Sequence, residues 1–167
     1  TLDLTAGTLE AAGGSLSLSD FTTGAGTTLK LSADTEITSA SNYTFGTVNL
    51  LGNKLTMGGN GGLTLPNALT MTAGSAIETK TSDLTLSSAL QLGTGSITST
   101  GGTLSFAAGA TLSNSGQLDV SGTNLKVSQA LNVSGGTFTS NATSVLDLQT
   151  AATLSSSSPV SFKKVNL

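Results

Sequence analysis

Apolar residues recur along this chain in short apolar-any-apolar triplets, and the triplets themselves recur. "LTLPNALTM" at 63–71 returns as "LTLSSALQL" at 84–92 and as "LKVSQALNV" at 125–133, with an alanine at the same place each time: Ala68, Ala89 and Ala130. Successive side chains of a strand point to opposite faces, so the outer two residues of a triplet share a face and the middle one takes the other. Leu84 and Leu86 are therefore expected inward and Thr85 outward.

Extending this register in both directions yields three columns. The first runs through Tyr43, Leu63, Leu84, Leu104, Leu125 and Leu146, and the second through Leu29, Val48, Leu69, Leu90, Leu112, Leu131 and Leu154. The third runs through Leu16, Ile37, Leu55, Ile77, Ile97, Leu118, Phe138 and Val160. Three strands per repeat predict an all-β fold, a parallel β-helix or three-sided β-solenoid of about 21 residues per coil and roughly eight coils. Residues 1–167 are expected to form a single such domain, a segment of a longer rod. Right-handed winding is expected because parallel crossover connections prefer that hand, and stacking at about 4.8 Å per coil predicts a rod of roughly 40 Å. An antiparallel sandwich also uses many short strands, but it has no reason to keep three columns in register.

Corners fall between the columns. "GGNGG" at 58–62, "GTGS" at 93–96, "STGGT" at 99–103 and "VSGGT" at 133–137 collect the turn-forming residues. Pro66 and Pro159 stand beside triplets, where they spare the ladder hydrogen bonds. The first two coils read as less regular: Phe21 stands where a full triplet is expected, and "LLGN" at 50–53 shortens a corner.

Composition narrows the chemistry. Only 9% of residues are charged while 37% are hydrophobic, and the chain has no Cys, His, Trp or Arg. The commonest general bases, metal ligands and phosphate clamps are thus missing. A net charge of -3 with no basic cluster argues against a nucleic-acid partner. No apolar run reaches the length of a transmembrane segment, and no signal segment opens the chain. The chain starts inside its own pattern, with "TLDL", as a mature or excised fragment would.

The outward positions are mostly hydroxylated: Thr44, Thr64, Thr85 and Ser105 on the first face, and Thr98 and Thr139 on the third. Thr favours strands and its hydroxyl can bond along a stack, which suits a solvated face. Lys126 and Asp147 interrupt the first face and Glu78 and Asp119 the third, so a flat ice-binding array is not expected. The register puts Glu10 beside Lys30, Glu36 beside Lys54 and Lys126 beside Asp147 on adjacent coils, where opposite charges support the alignment and like charges would repel.

Asp34 and Glu36, in "SADTEIT", form the best candidate carboxylate pair, since residues two apart share a strand face. Glycosidases use two such groups at a defined separation, but Lys54 is expected to partner Glu36. "GGNGGLTL" at 58–65 resembles a calcium-binding glycine-rich repeat, yet it has Leu63 where that motif needs Asp. "SFKK", Ser161 to Lys164, fits a Ser-x-x-Lys pattern but falls on an expected strand instead of opening a helix. Three Asn-x-Ser/Thr triplets, at Asn42, Asn132 and Asn141, are what chance supplies in so Thr- and Ser-rich a chain. No catalytic, cofactor-binding or metal-binding residue is assigned.

The Leu-x-Leu triplets, Gly-Gly corners and Thr/Ser/Asn filler, as in "GGTLSFAAGATLSNSGQLDVSG" at 101–122, resemble the repeats of bacterial extracellular β-helix proteins. Autotransporter passenger domains and filamentous-haemagglutinin-like adhesins are the groups meant. That resemblance implies a secreted or surface-displayed rod, non-enzymatic, used for attachment or as a fibre. Its expected partners are further copies of itself, stacked end to end through uncapped terminal coils, and surface glycans. The alternative is a carbohydrate-binding or carbohydrate-cleaving β-helix in which Asp34 and Glu36 line a groove.

Overall fold

The computed structural model describes residues 2–18, 21–88, 90–108, 110–112, 116–133, 135–149 and 151–167. Of the features read from the sequence, Ala89 and the side chains of Phe21 and Leu112 lie outside that description. The described secondary structure is entirely β, with no helix, and the strands pair in parallel into a solenoid of about eight coils.

Three long sheets follow the three columns. The first holds seven strands: Tyr43–Thr44, Leu63–Leu65, Leu84–Leu86, Thr103–Phe106, Asn124–Val127, Val145–Leu148 and Lys164–Asn166. The second holds five: Leu69–Thr70, Leu90–Gln91, Ala110–Leu112, Ala130–Val133 and Thr153–Ser156. The third holds seven: Gly14–Ser17, Thr35–Ser39, Lys54–Gly59, Ala76–Thr79, Ser96–Ser99, Gln117–Asp119 and Thr137–Thr139. Each strand bonds to its counterparts one coil away, so the alternation of apolar and polar residues becomes a buried ladder and an outward row. Leu84 and Leu86 are buried and Thr85 is partly exposed, as their triplet requires.

The first column stacks as read, from Tyr43 through Leu63, Leu84, Leu104 and Leu125 to Leu146, and continues to Val165. The other two columns need correction, and the same cause underlies both. In the third, Ile37 pairs with Met57 instead of Leu55, and Leu55 pairs with Thr35. In the second, Ala110 rather than Leu112 stacks between Leu90 and Leu131, while Leu112 pairs with Val133. Both are two-residue slips, which keep every side chain on its face; period-2 alternation cannot tell such registers apart.

The irregular start has a physical form. Strands Leu2–Ala11 and Phe21–Leu31 run straight through what is a corner in later coils, and they pair with Thr47–Asn49 in a separate three-stranded sheet, with a register shift between Leu4 and Ala6. Leu9, Leu29 and Val48 therefore stack together, and that ladder does not hydrogen-bond onto Leu69. At the other end Val160 lies in no strand and is 39% exposed. Pro159 has no N–H for a ladder, and Ser156 and Ser158 satisfy each other locally. Phe162 packs on Phe138 in its place, ring centroids 6.2 Å apart.

Stacked corners leave little room. Gly61 donates its N–H to Ser39 O at 2.9 Å, and a Cβ on Gly61 would stand 2.1 Å from Ser41 O. Gly59 combines a φ of +85° with a Cβ position 2.2 Å from Ser39 O. The shortened corner at 50–53 instead places Leu51 at φ 53° with its side chain 63% exposed.

Gly61→Ala is expected to cost about 2–4 kcal/mol in urea denaturation, because backbone and not a flexible side chain blocks the new methyl. Phe106→Ala, which empties a fully buried rung between Leu86 and Val127, should cost about 3–5 kcal/mol. Leu51→Asn should instead raise stability by about 1 kcal/mol, since it relieves a left-handed conformation without losing burial.

Candidate functional site

The outward rows are where chemistry could be displayed. The first sheet shows Thr44, Thr64, Thr85, Ser105, Lys126, Asp147 and Asn166 in register. The third shows Ser15, Glu36, Thr56, Glu78, Thr98, Asp119 and Thr139, an alternation of hydroxyl and carboxylate.

The two-residue slip in the third sheet reassigns its ion pairs. Glu36 lies beside Thr56, not Lys54, so Lys54 reaches forward to Glu78 at 3.3 Å and Lys80 reaches back across two coils to Glu36 at 2.9 Å. Gly58 makes that long reach possible: a Cβ there would stand 2.9 Å from the Glu36 Oε1 that Lys80 binds. Thr56, with Glu36 and Glu78 on either side, is left only 8% exposed. Hydrogen bonding to the Glu36 carboxylate, with the attraction of that charge, raises the pKa of the Lys80 ammonium. The Glu10–Lys30 pair forms as the register predicts, at 3.1 Å. Ser32 Oγ also donates to Glu10, and these hydrogen bonds, with the Lys30 charge, hold the Glu10 carboxyl below its ordinary 4.5. Lys126 and Asp147 are in register, but Asp147 Oδ1 accepts from Gln149 Nε2 instead.

Asp34 and Glu36 are not left free as a pair. Asp34 Oδ1 accepts the backbone N–H of Lys54 at 2.8 Å while Glu36 holds Lys80. Asp34 belongs to a set that the sequence reading missed. Asn42 Oδ1 accepts from Gly62 N at 2.8 Å and Asp83 Oδ1 from Thr103 N at 2.7 Å, each twenty residues ahead. An Asx residue just before a strand, one coil below a free N–H, is the signal that could have found them. Ser161 stands in a loop and Lys164 opens a strand, so the Ser-x-x-Lys spacing builds no helical site.

The interior is not wholly apolar. Thr79 Oγ1 donates to Ser99 Oγ at 2.8 Å, Thr123 Oγ1 donates to Ser99 O at 2.6 Å, and Ser144 Oγ donates to Val120 O at 2.7 Å. Met57, Thr79 and Ser99 stack in the same register as Leu55, Ile77 and Ile97, two residues further along each strand. Among the described residues no buried side-chain nitrogen or oxygen lacks a partner.

Surface hollows among the described residues include two of similar size. One, of about 360 Å³, is lined by Ser17, Leu18, Thr38, Ser39, Gly59 and Asn60. The other, of about 350 Å³, lies on the second sheet around Gln91, Thr111, Gln129 and Asn132. Among the described residues there is no group of three or more metal-ligating side chains and no helix long and apolar enough to cross a membrane. A comparison with protein-family models, curated proteins and solved structures found no match to the chain. The fold thus assigns the protein to the parallel β-solenoids, and no family is shown.

Asp83→Ala is expected to lower stability by about 1 kcal/mol, the value of one charge-assisted coil-to-coil bond at the surface, measured by chemical denaturation. Because the folded-state pKa of Glu10 lies below the unfolded value, its contribution is complete well above pH 4.5 and disappears as pH falls through the folded pKa. The gap in thermal midpoint between wild type and Glu10→Gln should therefore be open at neutral pH and close on acidification.

Proposed function

We propose that the protein is a non-enzymatic structural element, a β-solenoid building block of an extracellular bacterial adhesin or surface fibre, whose coils continue by stacking end to end with further coils. The observation that carries this reading is how most of the described carboxylates are used, Asp119 and Asp147 being the two that bond within their own coil. Glu10, Asp34, Glu36, Glu78 and Asp83 all bond to a residue of another coil. Side chains used this way tie a rod along its axis. The parallel ladders of the three long sheets add backbone hydrogen bonds between successive coils, and loading along the axis would strain many of them together. Edge pairing offers a simple way to extend such a rod, since an exposed strand edge is a template for another strand. The resemblance of the Leu-x-Leu and Gly-Gly pattern to bacterial surface β-helix repeats supplies the secreted or cell-surface location.

Negative-stain electron microscopy across a concentration series, with fibre diffraction, tests the assembly. Uniform filaments with a reflection near 4.7–4.8 Å along the axis are the expected result. Particles that stay single at every concentration would remove end-to-end stacking of separate copies. Glycan cleavage lost on Asp34→Ala and Glu36→Ala substitution would overturn the non-enzymatic reading.

A further inference from the structure

The second sheet differs from the other two in that its outward residues carry no charge. In register they are Thr70, Gln91, Thr111, Asn132 and Ser155. The 350 Å³ hollow lies on this face, beside the corner by which the chain arrives from the first sheet. Small residues make room for it: Ala108 in the corner, and Ala110 at the rung where the neighbouring coils carry Leu90 and Leu131. Around it stand amides. Among the described residues Gln91 and Gln129 make no side-chain hydrogen bond, and Asn132 Oδ1 accepts only from Ser155 Oγ, at 3.2 Å.

We propose that this hollow binds an uncharged glycan lying along the rod axis. Each primary amide offers two donors and an acceptor, and the Thr111 hydroxyl offers both functions, which matches the hydroxyls of a neutral sugar. The Ala108 and Ala130 methyls give the sugar's C–H faces an apolar surface of low relief. A phosphate, sulfate or carboxylate would find no cation on this sheet. A hydrocarbon would strip water from the amides without replacing their hydrogen bonds. Gln91, Thr111 and Asn132 occupy successive coils about 4.8 Å apart, so an extended chain of sugars meets a new polar group at each rung. The site is distinct from Asp34 and Glu36 and requires no bond cleavage. It goes beyond the structural role, and it is read at protein concentrations below those at which filaments form.

The test is an NMR titration of the ¹⁵N-labelled protein with cellohexaose, laminarihexaose and maltohexaose as neutral probes and a heparin hexasaccharide as the charged one. At least one neutral probe is expected to shift the side-chain NH₂ signals of Gln91, Gln129 and Asn132. The Gln91→Ala/Gln129→Ala variant should bind it about tenfold more weakly with an unchanged circular dichroism spectrum, and Asp34→Ala/Glu36→Ala should bind within about twofold of wild type. The proposal is overturned if no neutral probe moves those NH₂ signals, if the double glutamine variant binds like wild type, or if the heparin fragment binds the hollow as tightly. Should the double variant fail to fold, the side-chain shifts of the unaltered protein decide the matter alone.

Discussion

Every described strand of this protein is held by parallel hydrogen bonds to the strand one coil away, about 4.8 Å distant, and that spacing governs everything else. It places the same position of successive coils in direct contact, so an inward position must be apolar or internally paired on every coil. Tyr43 through Val165 on the first sheet is such a column. Outward positions are bound by the same spacing: neighbouring rungs cannot repeat a charge without repulsion. On the third sheet the carboxylates of Glu36, Glu78 and Asp119 are accordingly separated by Thr56 and Thr98.

The constraint also explains where the polar side chains go. Corner backbone groups that face the next coil need partners, and Asp34, Asn42 and Asp83 supply them one coil ahead. Inside, Thr79, Ser99 and Thr123 bond to one another and so satisfy hydroxyls that would otherwise be buried unpaired. Glycine appears where consecutive corners touch, as at Gly61 against Ser41, and where a long side chain must pass, as at Gly58 beneath Lys80. The second sheet, free of charge on its outward side, presents Gln91 with no side-chain hydrogen bond to another described residue, while its Asn132 accepts one from Ser155 on the next coil.

Much of this was legible in the residues. Triplet spacing gave the coil length, the three columns and the inward and outward sets, and it placed the disorderly coils at the start of the chain. What it misplaced were rungs: Ile37 on Leu55 instead of Met57, and Leu112 where Ala110 stands. Each slip moved a charged or small residue along the axis without changing its face. Glu36 was given Lys54 when it holds Lys80, and the hollow at Ala110 was invisible because a leucine had been read into its place. The expected rung at Val160 failed for a different reason, Pro159 and the serines before it, whose local bonding outweighed the column.

The sequence by itself determined that the chain coils, how long each coil is, and which side of each strand is buried, because all three follow from periodicities of two and about twenty-one that local chemistry enforces. Tertiary structure alone decided which residue of one coil sits on which residue of the next. A shift of two residues leaves the hydrophobic pattern satisfied, so the choice passes to contacts that exist only once the coils are stacked: corner glycines meeting carbonyls, Asx caps finding an N–H, and lysines reaching carboxylates across a neighbour.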